Sequence, residues 1–423
     1  MDTHQTTSLL FGLAAIVLLA RVLGALARRL NQPAVIGEVL AGIALGPTLF
    51  HGAVSDALFP GDIRPLLSAL AAVGVVVFMF LVGLEWDAGM IRGSGSLAAT
   101  VSFSSIVLPF GLGMALALYL MDDYGTSDET GFMLFMGIAM SITAFPVLAR
   151  ILTDRGMTRT PLGVVALACA SIDDVLAWSL LAAVVAVSGS AGPEQWRILL
   201  AVPYLLGMLF VVRPLLRRYV ARRPHLQLTP TLFASVLIGL LLSAAVTEWV
   251  GLHYIFGAFL FGVILPRTGT EQFRNDMQGR LCHLTGTLLL PVFFLVAGLK
   301  VDLSGLDAAG LGALGLILLV AVGGKFLGAF GAARLNRMPV RQSAALATLM
   351  NTRGLTELIV LNVGLQLGFL GRDLYSLMVV MAVVTTAMAG PLLSRLMNHG
   401  QDHDAPRPNS VAETPTETAR TSV

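Results

Sequence analysis

Two adjacent carboxylates stand in the middle of an apolar stretch, ACASIDDVLAWSLLAAVVA at residues 168–186. Asp173 and Asp174 would each cost about 2.5–3.5 kcal/mol as ions at the centre of a bilayer. Adjacent residues of an α-helix point about 100° apart, so one acid can face an ion-pair partner while the other faces a cavity. A carboxylate that holds either a proton or a cation would couple two ion fluxes. The plainer alternative is that one acid only bridges to a neighbouring helix.

Lys325 is the candidate partner, because it stands in the middle of the apolar stretch AVGGKFLGAF. The chain has one further lysine, Lys300. The Gly-Gly-Lys sequence does not indicate a phosphate-binding loop, since Leu319 and Phe326 occupy the places where that motif needs glycine and serine or threonine. A buried lysine beside a buried aspartate forms a coupled pair whose protonation can respond to a ligand.

Three more charges fall within apolar stretches: Glu38, Arg353 and Glu357. Arg353 and Glu357 are four residues apart and can pair on one helix face. We interpret them mainly as supports for an interrupted helix, and a direct role in ion binding is the alternative.

The composition is that of a polytopic membrane protein. Of 423 residues 56% are hydrophobic and 12% are charged, whereas soluble domains average about 25% charged residues. Cys169 and Cys282 lie in apolar surroundings, which indicates core residues and no disulfide framework. The seven histidines are scattered, so we expect no resident metal site and no cofactor.

Runs of spanning length predict an all-α fold with about 13 transmembrane helices. The predicted spans are 8–28, 33–50, 64–84, 97–120, 131–153, 160–188, 194–213, 229–247, 251–266, 281–300, 307–334, 341–366 and 372–397. They form a transmembrane domain over residues 1–398, and the Pro/Thr-rich segment 399–423 is predicted to be a disordered cytoplasmic tail.

Arginines favour one orientation of these spans. They follow every second span, as in RPLLRRYVARRP at 213–224, whereas opposite loops such as MDDYGTSDETG at 121–131 lack them. Basic loops stay cytoplasmic. We therefore expect a multi-pass protein of the cell membrane with its N-terminus outside and its C-terminus inside.

Two sequence correspondences predict inverted-topology repeats. FLVGLEWD at 80–87 resembles FLVAGLKVD at 294–302, about seven spans later, and an odd number of spans inverts the second copy. SITAFPVLAR at 141–150 and NTRGLTELIV at 351–360 fall at nearly the same offset, and each interrupts an apolar run. Broken helices in corresponding positions of two halves point to the binding site of a transporter.

The chain resembles the monovalent cation:proton antiporters of the second large branch of the Na+/H+ exchanger superfamily. The resemblance rests on motifs that keep the family's order and spacing: NQPAVIGEVLAGIALGP at 31–47, FLVGLE, SITAFPVLARIL, ASIDDVLAW, FFLVAGLKVDL, GGKFLG and NTRGLTELIVLN. It implies two broken helices that cross near the site, and a homodimer formed through a scaffold that includes the first helices.

The resemblance also implies roles for single residues. Asp174 would bind the cation or the proton in turn, Asp173 would be the second acid, paired with Lys325, and Thr143 would lie beside the site at the first crossover. In having two acids in this motif, the chain resembles the electrogenic members of the family. Na+ and K+ both remain open as substrates, and no nucleic acid is implied.

Two other classes of protein remain as alternatives. A monovalent cation channel would share the intramembrane charges. An intramembrane aspartyl protease would need two acids on facing helices that reach one water, and adjacent acids on one helix point apart.

Overall fold

The structure is a computed structural model that describes residues 3–30, 32–48, 52–85, 88–187, 195–222, 227–267 and 269–398. The predicted tail, residues 399–423, lies outside the described residues. Every regular element in the described part of the chain is helical, as predicted.

The chain forms 18 α-helical segments within these residues. They are α1 (Thr3–Arg29), α2 (Ala34–Leu45), α3 (Ala53–Leu58), α4 (Arg64–Glu85), α5 (Ala88–Tyr124), α6 (Glu129–Ser141), α7 (Phe145–Asp154), α8 (Pro161–Val187), α9 (Ala201–Gly207), α10 (Arg213–Ala221), α11 (Pro230–Val250), α12 (Tyr254–Ile264), α13 (Glu271–Leu284), α14 (Leu290–Leu299), α15 (Ala308–Leu335), α16 (Val340–Met350), α17 (Leu355–Gln366) and α18 (Arg372–Asn398).

Eight helical runs among the described residues are long and apolar enough to cross a membrane, and α2, α6 and α12 are shorter apolar helices. The total of 13 spans therefore stays a prediction. Several predicted bounds differ from the structure, and two of the differences have a plain cause. α2 ends at Leu45 rather than at 50, because Gly46 and Pro47 follow. The span predicted to start at 281 starts at Glu271, because the polar helix α13 continues through one π-helical turn into α14.

The helices pack as two bundles. The scaffold bundle comprises residues 3–85 and 195–299, in which α4 packs on α12, and α2 packs on α1 and α14. The core bundle comprises residues 88–187 and 308–398, in which α5 contacts α6, α8 and α15, and α16 contacts α15 and α18. The boundary between the bundles is called the seam below.

The packing repeats with the predicted symmetry. Gly83 and Gly298 each stand four residues before the aspartate that ends the repeated motif. A Cβ at Gly298 would lie 2.7 Å from Gly42 Cα of α2. A Cβ at Gly83 would collide with the backbone of α12, where Gly262 faces α4. The motif recurs because each copy lets two helices approach closely at a pair of glycines, as small residues do in membranes.

We predict opposite effects for two identical substitutions. Gly298→Ala should lower the thermal unfolding temperature in detergent, because backbone atoms of α2 leave no room for a methyl group. The cost should be about 1–3 kcal/mol. Gly312→Ala on α15 is the matched control, since it meets open space and removes a residue that disfavours helix. Equal melting of the two variants would contradict the close approach.

Candidate functional site

Two interrupted helices cross inside the core bundle. α6 ends at Ser141 and α7 begins at Phe145, while α16 ends at Met350 and α17 begins at Leu355. The interruptions touch directly, because the Ala144 amide donates to Thr352 O at 2.9 Å. Both lie at the places where the sequence predicts broken helices.

Each interruption supplies donors to the free carbonyls of the other. Arg353 donates through Nη1 to Ala139 O at 2.5 Å and through Nη2 to Met140 O at 2.7 Å, at the end of α6. Thr143 Oγ1 lies 3.0 Å from Met350 O, at the end of α16. Carbonyls at membrane depth have no water to bind, so these bonds satisfy groups that the interruptions leave open.

Arg353 also binds Glu357, as the spacing predicts. The two charged atoms, Nη1 and Oε2, are 3.0 Å apart and both side chains are fully buried. Gly354 precedes α17 with φ of 156°, a value that L side chains rarely adopt, and a Cβ there would lie 2.6 Å from Val147 Cγ2. The second interruption therefore needs glycine for both conformation and space.

The Asp173 carboxylate has three side chains within hydrogen-bond distance. Its Oδ2 atom lies 3.0 Å from Lys325 Nζ, 2.8 Å from Thr143 Oγ1 and 3.1 Å from Ser105 Oγ. Lys325 Nζ also donates to Thr143 Oγ1 at 2.6 Å. These side chains come from α5, α8, α15 and the first interruption, and Asp173 and Lys325 are fully buried. The contact between Asp173 and Lys325 is the one that the sequence predicts.

Asp174 has the opposite surroundings. It is 3% exposed, and neither of its carboxyl oxygens has a hydrogen-bond partner among the described residues. The Phe145 amide at the start of α7 interacts with this carboxyl without completing a hydrogen bond. A buried ion without a partner is strongly unfavourable, so these surroundings do not stabilise Asp174 as a bare carboxylate. This geometry does not fit a protease dyad, in which both acids would share one water.

The structure gathers all but one of the predicted site residues. Asp173, Thr143, Lys325 and the Arg353–Glu357 pair meet around the crossing of the broken helices, with Asp174 on the adjoining face of α8. Glu38 is the exception: it lies on α2 against α1, within electrostatic reach of Arg28 and Arg21. The contacts of the described residues do not join it to this site.

Sequence reasoning missed Ser105 and Trp178. Ser105 lies in the sequence SFSS at 102–105. Such a cluster of polar residues in an apolar helix was the signal that could have pointed to it. Trp178 stands four residues after Asp174, which places both on one helix face. Its indole Nε1 is buried without a hydrogen-bond partner in the described structure.

Comparisons with known proteins place the sequence among ion exchangers. The profile of the family described as "Sodium/hydrogen exchanger, transmembrane" matches residues 14–399. The Na(+)/H(+) antiporter NhaS4 of Synechocystis is 40% identical over 415 residues, covering 94% of this chain and 98% of that protein. The K(+)/H(+) antiporter 1 of Saccharomyces cerevisiae is 31% identical, and the match covers 92% of this chain and 46% of the yeast protein.

The fold is also similar to a solved structure. The sodium proton antiporter MjNhaP1 from Methanocaldococcus jannaschii at pH 8 superposes with a TM-score of 0.64 at 16% identity, covering 92% of this chain and 95% of that one. At this identity the likeness supports the architecture alone.

We predict that Lys325→Ala strongly lowers thermal stability. Removing one partner of a buried pair leaves the other charge uncompensated, at a cost of about 3–5 kcal/mol. Asp173→Asn combined with Lys325→Gln should recover part of the loss, because neither charge remains. Thermal unfolding in detergent measures both. A double variant as unstable as the sum of the two single variants would show that the pair is not coupled.

We predict that Arg353→Ala destabilises the protein more than it alters cation preference. The change strands the carbonyls of Ala139 and Met140 and the carboxylate of Glu357, which should cost at least about 3 kcal/mol. Arg217→Ala on exposed α10 is the control and should stay within about 0.5 kcal/mol. Unchanged melting together with switched selectivity would refute the supporting role.

Proposed function

The chain belongs to the sodium/hydrogen exchanger family, and we propose that it exchanges a monovalent cation for protons across the membrane by alternating access. One observation carries this proposal. Of the buried acids at the crossing, Asp173 and Glu357 each have a cationic partner, whereas Asp174 has none among the residues that the structure describes.

The unpaired carboxyl makes proton and cation compete. In a dry site, Asp174 is neutral either as the protonated acid or as a carboxylate bound to a monovalent cation. Both ligands need the same oxygens, so binding of one excludes the other. If the core bundle carries Asp174 from one face to the other along the seam, each passage moves one ligand, and the two fluxes are coupled.

The neighbouring pair holds a fixed geometry around this carboxyl. Asp173 lies about 100° around α8 from Asp174, and Thr143 of the first interruption contacts both Asp173 and Lys325 of α15. We propose that this second acid makes exchange electrogenic, through a change of protonation in the pair during the cycle. Unchanged voltage dependence in the double variant without Asp173 and Lys325 would remove that part of the proposal.

The proposed substrate is Na+ or K+. The two relatives above are named for Na(+)/H(+) and K(+)/H(+) exchange, so both cations lie within the range of the family. Oxygens at the crossing, from Asp174 and the main chain of the interruptions, are hard ligands of the kind that alkali cations bind. A cation screen in proteoliposomes with a pH-sensitive dye separates the two.

We also propose the membrane arrangement. The arginine-rich loops favour a cell-membrane protein whose N-terminal face, the face at which α1 begins, is outside. Residues 1–398 would form the transmembrane exchanger domain. Large apolar side chains on the outside of the scaffold bundle, such as Phe11 on α1 and Trp249 on α11, are suited to lipid or to a second copy. A homodimer through this bundle follows the family resemblance.

We predict that Asp174→Asn abolishes exchange of every cation while the protein still inserts and folds. Asparagine cannot take up or release a proton at this site, so the coupling is lost. The assay is cation-driven proton movement in everted vesicles. Asp122→Asn, at an exposed acid, is the control and should exchange like the parent. Exchange by a folded Asp174→Asn variant would overturn the proposal, and cation flux without coupled proton movement in the parent would indicate a channel.

A further inference from the structure

Side-chain hydrogen bonds join the two bundles across the seam at its N-terminal face. That face holds α3, which packs near Gly12 of α1, and a cavity of about 720 Å³ whose lining includes the ends of α14 and α17. At the opposite face, Gln32 of the scaffold bundle donates to Ala387 O of the core bundle at 3.1 Å.

The last two turns of α17 carry two amides that reach across the seam. Asn362 and Gln366 are four residues apart, so they project from one face of the helix. Lys300 Nζ, at the end of α14, donates to Asn362 Oδ1 at 2.6 Å. His253 Nε2, before α12, lies 3.2 Å from Gln366 Oε1. Both partners belong to the scaffold side, so these two bonds join the bundles directly.

α18 makes two further hydrogen bonds across the seam at the same face. Tyr375 Oη donates to Ala297 O at 3.1 Å, and Ser376 Oγ accepts from the Asp302 amide at 3.0 Å. Lys300 and Gln366 also line the cavity, so one partner of each amide hydrogen bond borders it.

An aromatic contact lies deeper than the amide pair Asn362 and Gln366. Ser171, Asp174 and Trp178 fall within an arc of about 60° on α8, and each has a buried polar atom without a partner among the described residues. Trp178, 3% exposed, packs edge-on against Phe256 with ring centroids 6.4 Å apart. Phe256 lies in the first turn of α12, three residues after His253. The face of α8 that carries Asp174 is thus closed on this side by two rings.

We propose that Asn362 and Gln366 form a latch that shuts the N-terminal end of the seam above the Trp178–Phe256 contact. The hydrogen bonds that these two side-chain amides accept must break each time Asp174 is exposed to that face. The latch rests on the proposed exchange function, since it has a role only if Asp174 alternates between the faces. Asn362 and Gln366 thereby set how often the site is open to the N-terminal side.

The first test weakens the latch. Asn362→Ala with Gln366→Ala should lower the apparent KM for the cation at the N-terminal face relative to the opposite face, by about 2- to 10-fold for each lost hydrogen bond. Right-side-out and everted vesicles present the two faces. Asn336→Ala with Gln278→Ala is the matched control, because it makes the same two changes within single bundles. The ratio of the two KM values should then equal that of the parent.

The second test locks the latch and does not depend on the alanine variants folding. His253→Cys and Gln366→Cys are combined in a chain whose Cys169 and Cys282 are alanine. A short cleavable bismaleimide should stop exchange, and cleavage should restore it. Thr48→Cys with Leu303→Cys, joined within the scaffold side at the same face, is the control that should keep exchanging.

The outcomes separate the latch from the function. An unchanged KM ratio in the alanine variant, or full exchange by the cross-linked pair, overturns the latch and leaves antiport intact. A parent that does not exchange cations for protons overturns the proposed function itself.

Discussion

Broken helices inside a membrane leave backbone groups that no water can satisfy, and this constraint organises the core bundle. The structure meets it by crossing two interruptions so that each supplies donors to the other. Arg353 serves the end of α6, and Thr143 serves the end of α16. The Ala144 amide closes the crossing on Thr352 O. Among the described residues, the carboxyl oxygens of Asp174 are polar atoms near this crossing that remain without a hydrogen-bond partner.

The arrangement of charge follows from that crossing. Lys325 reaches both Thr143 and Asp173, so the interruption and the paired acid share one cation. Arg353 is shared in the same way between α6 and Glu357. Adjacent positions on α8 separate Asp173, which is held in this network, from Asp174, which is not. Two neighbouring acids in one apolar helix thus have opposite surroundings, one held by three side chains and one without a hydrogen-bond partner among the described residues.

Much of this site is predictable because charge in an apolar stretch is conspicuous. The two acids, Lys325 and the Arg353–Glu357 pair are predicted from composition and spacing, and the repeats are predicted from two short motifs. Glu38 shows the limit: its charge is equally conspicuous, yet α2 belongs to the scaffold bundle, and which bundle a helix joins depends on tertiary packing. Ser105 and the ties across the seam are ordinary polar residues in sequence, and only the assembled helices show what they face.

The two copies of the repeat do not make the two faces of the protein alike. Lys300 stands two residues before the aspartate that closes the second motif, and Glu85 holds the same place in the first. Lys300 binds an amide of the core bundle, whereas Glu85 contacts Gln278 within its own bundle. Two identical copies would produce inward-open and outward-open forms of equal energy. The sign reversal at this position is one difference between the copies that breaks this equality, so symmetry does not oblige the two forms to be equally populated before any ion gradient is applied.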